Sequence, residues 1–265
     1  MEGYDFGPAR FDLTNERDRG VLNFVLSQAL FGEATGVYCG RSLYNAETLE
    51  AAQFYVKQAR QELNHLTLFA DIFRELSLTP EPAHWVIRVL SAHNDYYPLK
   101  VLMEHALGEG MVLDIFRDVL LQTLPESDPR VPAIKKKLRV ICREEEEHVA
   151  WGEKETRRLL AERPGLKRAF YGLMELQLWL VPYAVKGLKD RAPDHPVLAR
   201  LDGFVEHVQK RVWAQGVALG FAPAVRPGAW QRSLAISAGV AMLVRSQFAR
   251  SRSRLDKTYL KQLGF

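Results

Sequence analysis

Residues 144–153 read EEEEHVAWGE, and residues 61–65 read QELNH. Each stretch contains Glu-x-x-His: Glu62 with His65, and Glu145 with His148. Three residues on an α-helix turn about 300° and climb about 4.5 Å. Such a pair therefore points one way and can hold one metal ion. Stepping outward by three or four residues tests whether the motifs face a core. Around the first motif the stripe runs Tyr55, Ala59, Glu62, His65, Phe69, Ile72 and Leu76. Around the second it runs Ile134, Leu138, Ile141, Glu145, His148 and Gly152. Both stripes are apolar except at the motif residues.

Two more helical patterns carry a lone glutamate near their midpoints. One gives Leu22, Leu26, Ala29, Glu33 and Val37. The other offers Glu104 or Glu109. Stepping from Glu109 gives the apolar stripe Leu102, Ala106, Leu113 and Phe116, whereas stepping from Glu104 meets Lys100 and Asp118. The register therefore selects Glu109. Two Glu-x-x-His helices and two Glu helices form the ligand set of a dinuclear carboxylate site in an all-α four-helix bundle.

The spacing predicts helices over residues 15–43, 46–77, 80–92, from Pro98 to about Leu124, and over 129–161. The expected caps are Thr14, Asn45 (with Thr48 three residues on), Thr79 before Pro80, and Ser127 or Asp128. Beyond Pro164, helices are expected over 166–190, 196–219 and 230–255, with the linker FAPAVRPG before the last. The chain thus divides into an N-terminal extension (1–14), a bundle with the dimetal site (15–163), further helices packed on it (164–220) and a basic C-terminal helix or tail (221–265).

A buried carboxylate without a partner costs several kcal/mol. Four on one level call for cations. Four carboxylates and two imidazoles suit two iron or manganese ions; zinc favours a tetrahedral N/S set. One division gives Glu33, Glu62 and His65 to one ion and Glu109, Glu145 and His148 to the other, with Glu62 and Glu145 as bridges. Gln61 and Glu144 precede the motif glutamates, so Glu144 is expected beside His65 and Gln61 beside His148. Glu146 and Glu147 read as solvated surface. His105, one turn before Glu109, reads first as a helix-face histidine and second as a group that supports the ligands from behind.

Composition adds limits. Of 265 residues, 47% are hydrophobic and 26% charged, ordinary for a globular chain. The N-terminus lacks a signal-peptide pattern, and two cysteines are too few for a disulfide framework, so cytoplasmic residence is expected. The apolar, uncharged stretch Ser233 to Val244 is 12 residues, and the longest uncharged run, Val212 to Val225, is 14; both are too short to span a bilayer. From Phe221 onward there are eight Lys/Arg and a single acid, Asp256. That basic tail suits an anionic membrane or nucleic acid, or else simply a solvated helix.

Over residues 15–161 the chain resembles the ferritin-like di-iron carboxylate superfamily. The residues that carry the likeness are Glu33 in FGEATG, Glu62 and His65 in QELNH, Glu109 in GEGMVLDIFR, and Glu145 and His148 in EEEEHVAWGE. The resemblance implies a ferritin-like bundle holding two iron ions (or Fe/Mn, or Mn/Mn) that activates O2. It implies a non-haem oxygenase or oxidase acting on a small, largely apolar molecule, with an external electron donor such as a reductase or ferredoxin, and often a homodimer. Departures narrow it. Phe69 stands where the radical-generating subunit of ribonucleotide reductase keeps a tyrosine, and Ile141 where arylamine N-oxygenases keep a third histidine. The spacing and the HVAWGE phrase resemble aldehyde-deformylating oxygenases and stand-alone oxygenases of specialised metabolism. Residues 169–183, AFYGLMELQLWLVPY, read as a packing helix or a substrate-pocket wall. The other classes are a metal-handling or structural protein without organic substrate, and a tRNA-modifying hydroxylase that uses the basic tail.

Overall fold

Asn15 starts the first helix, α1 (Glu16–Gly36), because its side chain accepts from the N–H of Arg17 and Asp18 at 2.9 and 3.3 Å. The expected cap, Thr14, is spent elsewhere: its N–H and its hydroxyl both bond Asp12 Oδ1. Thr48, not Asn45, caps α2 (Leu49–Glu75), accepting from the N–H of Ala51 at 3.0 Å. In both places two capping residue types lie close together in sequence. The one that wins stands next to the first helical residue, where its oxygen reaches an N–H two or three positions on. Between α1 and α2 the chain runs as a 3-10 helix, Val37–Asn45, so α1 stops short of the expected residue 43.

The computed structural model describes residues 3–85, 88 and 96–248. Among them no strand occurs and the chain is all-helical. The helix expected over 80–92 falls largely outside these residues, and 80–84 are irregular. A third helical run, α3, covers 97–123. It alternates α-helix (Tyr97–Lys100, Glu109–Asp114, Leu121–Thr123) with π-helix (Val101–Gly108, Ile115–Leu120). Then come α4 (Val131–Glu162), α5 (Leu166–Lys189), α6 (Leu201–Ala218) and α7 (Ala229–Phe248). Neither Ser127 nor Asp128 caps α4; Arg130 holds the N-cap position, and Asp128 Oδ1 accepts from its N–H at 2.9 Å. The expected continuation to residue 255, with Arg250, Arg252 and Arg254, lies outside the described residues. No described helix is long and apolar enough to cross a membrane.

Helix α1 packs on α2, α2 on α4, and α4 along α3; α5 lies against α6, and α7 against α5. Leu26, Phe69, Ile72, Phe116 and Leu138 meet in one apolar core shared by the first four helices. The N-terminal segment belongs to it: Phe6 and Phe11 are buried there, and the N–H of Tyr4 donates to Asp118 Oδ2 at 2.9 Å.

The π-segments change the register of α3. An α-helix puts residues five apart about 140° out of line, but a π-helix bonds i to i+5 and stacks them. The N–H of Glu109 accordingly reaches the carbonyl of Glu104. Glu104 therefore lies close to Glu109, though its side chain is 31% exposed, and the charges that argued against it are themselves buried. Lys100 pairs with Glu104, and Asp118 accepts from Arg117 Nε at 2.9 Å.

The α5–α7 crossing depends on Gly172 and Gly239. A Cβ on Gly172 would overlap the carbonyl of Ala235, and one on Gly239 would lie 2.8 Å from the nitrogen of Leu173. Gly172→Val is expected to cost at least about 1–3 kcal/mol by overpacking. Chemical denaturation should show that loss, together with faster proteolysis in α7; unchanged stability would contradict the close crossing.

Candidate metal centre

Helices α1 to α4 each deliver carboxylates to one level of the core. Glu33 of α1, Glu62 and His65 of α2, and Glu145 and His148 of α4 are all buried. Glu109 of α3 is slightly more open, with 12% of its side chain exposed. The atoms that could ligate form two groups, each with all its members within 4.8 Å: Glu33, Glu62, His65 and Glu145, and Glu62, Glu109, Glu145 and His148. Glu62 and Glu145 belong to both. These buried Glu/His groups can hold a metal ion. Gly36 makes room for them, since a Cβ there would lie 2.5 Å from the Glu62 carboxyl carbon.

Each histidine turns the same edge to the cluster. His65 Nδ1 is 2.7 Å from Glu33 Oε2 and 3.2 Å from Glu145 Oε1, and its Nε2 donates to Glu144 Oε2 at 2.9 Å. His148 Nδ1 is 3.2 Å from Glu145 Oε2, and its Nε2 donates to Gln61 Oε1 at 3.0 Å. Gln61 is steadied in turn by donating to Glu147, an exposed residue that also pairs with Lys57. With Nε2 committed as a donor, a neutral imidazole aims the Nδ1 lone pair at carboxylate oxygens. That arrangement holds only with a proton or a metal ion between them. Glu62 Oε2, too, is buried without a hydrogen-bond partner. The donors therefore fit a divalent cation.

Three neighbours of the cluster escaped the periodic reading. Gln58, where Ala59 was expected on the stripe, is fully buried. Its Nε2 donates to Glu109 Oε1 at 3.1 Å and lies 3.3 Å from Glu62 Oε1. His105 is not a helix-face histidine: it is fully buried, 4.0 Å from Glu109 Oε1, and burial holds its pKa down to about 3. Glu104, His105 and Glu109 form a third close group. A buried amide and imidazole one turn from proposed ligands were the available signal, and an α-helical register hid the Glu104 part of it.

No known family model matches the chain, and no curated protein sequence is significantly similar to it.

Burial keeps the carboxyls of Glu33, Glu62 and Glu109 above their ordinary 4.5, and the neighbouring carboxylates, Glu145 above all, add to it. Burial alone would lower the histidines. It is outweighed by Glu145, Glu33 and Glu62 at His65 and by Glu145 and Glu62 at His148, so both rise above 6.5. These five groups bind more protons folded than unfolded. Their contribution to stability is present at low pH and lost as pH rises. Glu145 and His105 oppose: burial raises Glu145, but His148 and His65 prevail and depress it below 4.5, and burial depresses His105 below 6.5. Their contributions are present above 4.5 and 6.5 respectively and lost as pH falls. Five against two, the metal-free fold should lose stability from about pH 5 to pH 8, whereas ligation, which needs deprotonated donors, strengthens over the same range. The melting temperature in chelator should therefore fall with pH, and the rise on adding Mn(II) should grow. A chelated protein whose melting temperature climbs with pH would contradict this balance.

Proposed function

We propose that the chain is a ferritin-like, non-haem di-iron oxygenase or oxidase that couples O2 reduction to oxidation of a small, largely apolar organic molecule. One observation carries the reading. A cavity of about 390 Å³ lies beside the cluster, walled by Phe24, Leu99, Ile115, Phe116, Leu180 and Val208, and Glu33, Glu62 and Glu109 form part of its lining. Its size is that of a small-molecule site. A metal store has no use for an apolar chamber that opens on the carboxylates. Helix α5 supplies part of the wall through Leu176, Leu180 and Val181, while its Phe170, Leu173 and Met174 pack the core. The stretch 169–183 thus both packs the core and lines the cavity.

Glu33, Glu62, His65 and Glu145 would hold one ion, and Glu62, Glu109, Glu145 and His148 the other, with Glu62 and Glu145 bridging. Four carboxylates neutralise two divalent ions, which suits a buried site. Two iron ions, when bound, supply the redox capacity for O2 reduction. Glu144 and Gln61 fix the two imidazoles so that Nδ1 faces the ions. Phe69 and Phe116, their rings 5.7 Å apart, shut water out of the core beside the site. Glu109, the most open of the carboxylates, stands where the carboxylate cluster meets the cavity. A monooxygenase reaction needs two further electrons, hence a reductase or ferredoxin partner. The tRNA-hydroxylase alternative leans on a basic tail, 221–265, five of whose eight Lys/Arg lie outside the described residues.

Anaerobic loading with Fe(II), followed by metal analysis and an oxygen electrode, tests the reading. About two iron per chain are expected, consumed O2 on aeration, and loss of both in Glu62→Ala. Ala29, on the cavity wall, separates chemistry from binding. Ala29→Phe should keep its iron yet lose any stimulation of O2 uptake by a panel of alkyl and aryl compounds. A single zinc indifferent to Glu62→Ala would sink the dimetal site. Two manganese ions inert to O2 that disproportionate peroxide would sink the oxygenase and leave the site.

A further inference from the structure

The amide nitrogen of Gln58 has more acceptors than hydrogens. Glu109 Oε1, Glu62 Oε1 and His105 Nδ1 surround it at 3.1, 3.3 and 3.4 Å. An NH2 group has two hydrogens for these three atoms. Its other end gives no anchorage, because Gln58 Oε1 is buried without a hydrogen-bond partner. Two carboxylate oxygens and an imidazole nitrogen converging on one point are the donor set of a divalent cation. The partial positive charge of the amide nitrogen stands in for that cation.

We propose that His105 Nδ1 is a third nitrogen donor of the centre, ligating the ion held by Glu62, Glu109, Glu145 and His148, with the Gln58 amide turning aside as the ion enters. The assignment rests on the dinuclear reading above. The fold presents His105 for that role. It lies in the π-segment Val101–Gly108, which brings it beside Glu109. Across from it α4 carries Gly152, where a Cβ would lie 2.6 Å from the Cβ of His105. Phe54 and Trp151 meet the imidazole edge-on, at ring separations of 5.4 and 5.2 Å. That packing fixes the ring, a task that falls to a hydrogen bond on the second nitrogen at His65 and His148. Glu104, the third member of the local group, is already paired with Lys100 and needs no ion. The two ions are then unequal. One has a single nitrogen, His65; the other has His148 and His105, a richer imidazole set that favours iron or cobalt over manganese.

Co(II) titrated anaerobically into the metal-free, full-length protein tests this without any turnover. Wild type should take up two equivalents. His105→Ala should bind one as before and the other at least about tenfold more weakly, as loss of a donor implies. The visible cobalt spectrum of that second equivalent should shift. His105→Gln, which nearly keeps the volume, repeats the measurement should the alanine variant not fold, as judged by circular dichroism. Gln58→Leu should bind both ions at least as tightly as wild type. Two equivalents with an unchanged spectrum in the His105 variants would overturn the assignment, as would loss of an ion from Gln58→Leu. Wild type that binds fewer than two ions would overturn the dinuclear reading itself and this proposal with it. Normal uptake indifferent to His105 would overturn this proposal alone.

Discussion

Mutual repulsion among carboxylates held at one level of an apolar core is the constraint on which the rest of the molecule depends. Glu33, Glu62, Glu109 and Glu145 cannot all ionise there without cations. Several features around them answer that strain. His65 and His148 turn Nδ1 inward, Gln58 places an amide between two of the carboxylates, and Gly36 withdraws its bulk from the Glu62 carboxyl. Glu144 and Gln61 then act from outside to keep both imidazoles in a single orientation. None of these side chains stabilises a core in the ordinary way. Apolar residues would be cheaper at every one of the positions. A chain that carries them together is built round charge, and the apolar stripes above and below carry the stability that the cluster costs.

Much of this was legible in the sequence because coordination and burial both obey helical periodicity. Ile134, Leu138 and Ile141 lead by steps of three and four to Glu145 and His148, and the structure buries all five. The same arithmetic located Glu33, Glu62 and His65, and the residues preceding the motif glutamates meet the histidines of the opposite helix. It failed where its premise failed. The run 97–123 is partly π-helix, so stepping at 100° per residue separated Glu104 from Glu109 and set His105 aside. Lys100 and Asp118 looked like marks of a solvated face, yet both are buried with partners. Charge in a sequence reports exposure only when no countercharge lies within reach, and pairing across helices is not written locally. The caps show the same limit on a smaller scale, since Thr14 and Asn15 are both capping types, Asn the better of the two, and the position of the first helical residue decides between them.

Helix α3 joins the two halves of the site. One face carries Glu109 and His105 toward the cluster, and another carries Met103, Val112 and Ile115 to the cavity. A continuous α-helix would present these two sets on a fixed twist. Two π-segments flanking Glu109–Asp114 widen the turns on either side and leave the glutamate where cluster and cavity meet. Such segments are less favourable than α-helix and recur at functional sites. Here their effect on geometry is specific: the same carboxylate reaches a neighbouring helix through the Gln58 amide and remains the most accessible of the four. Helices α5 and α6 complete the chamber from the far side, through residues such as Leu180 and Val208. Helices α1 to α4 carry the proposed ligand set by themselves. The helices beyond them and the irregular turns of α3 set an apolar space against that charge, and on this juxtaposition, more than on the ligands alone, rests the proposal of chemistry on an organic molecule.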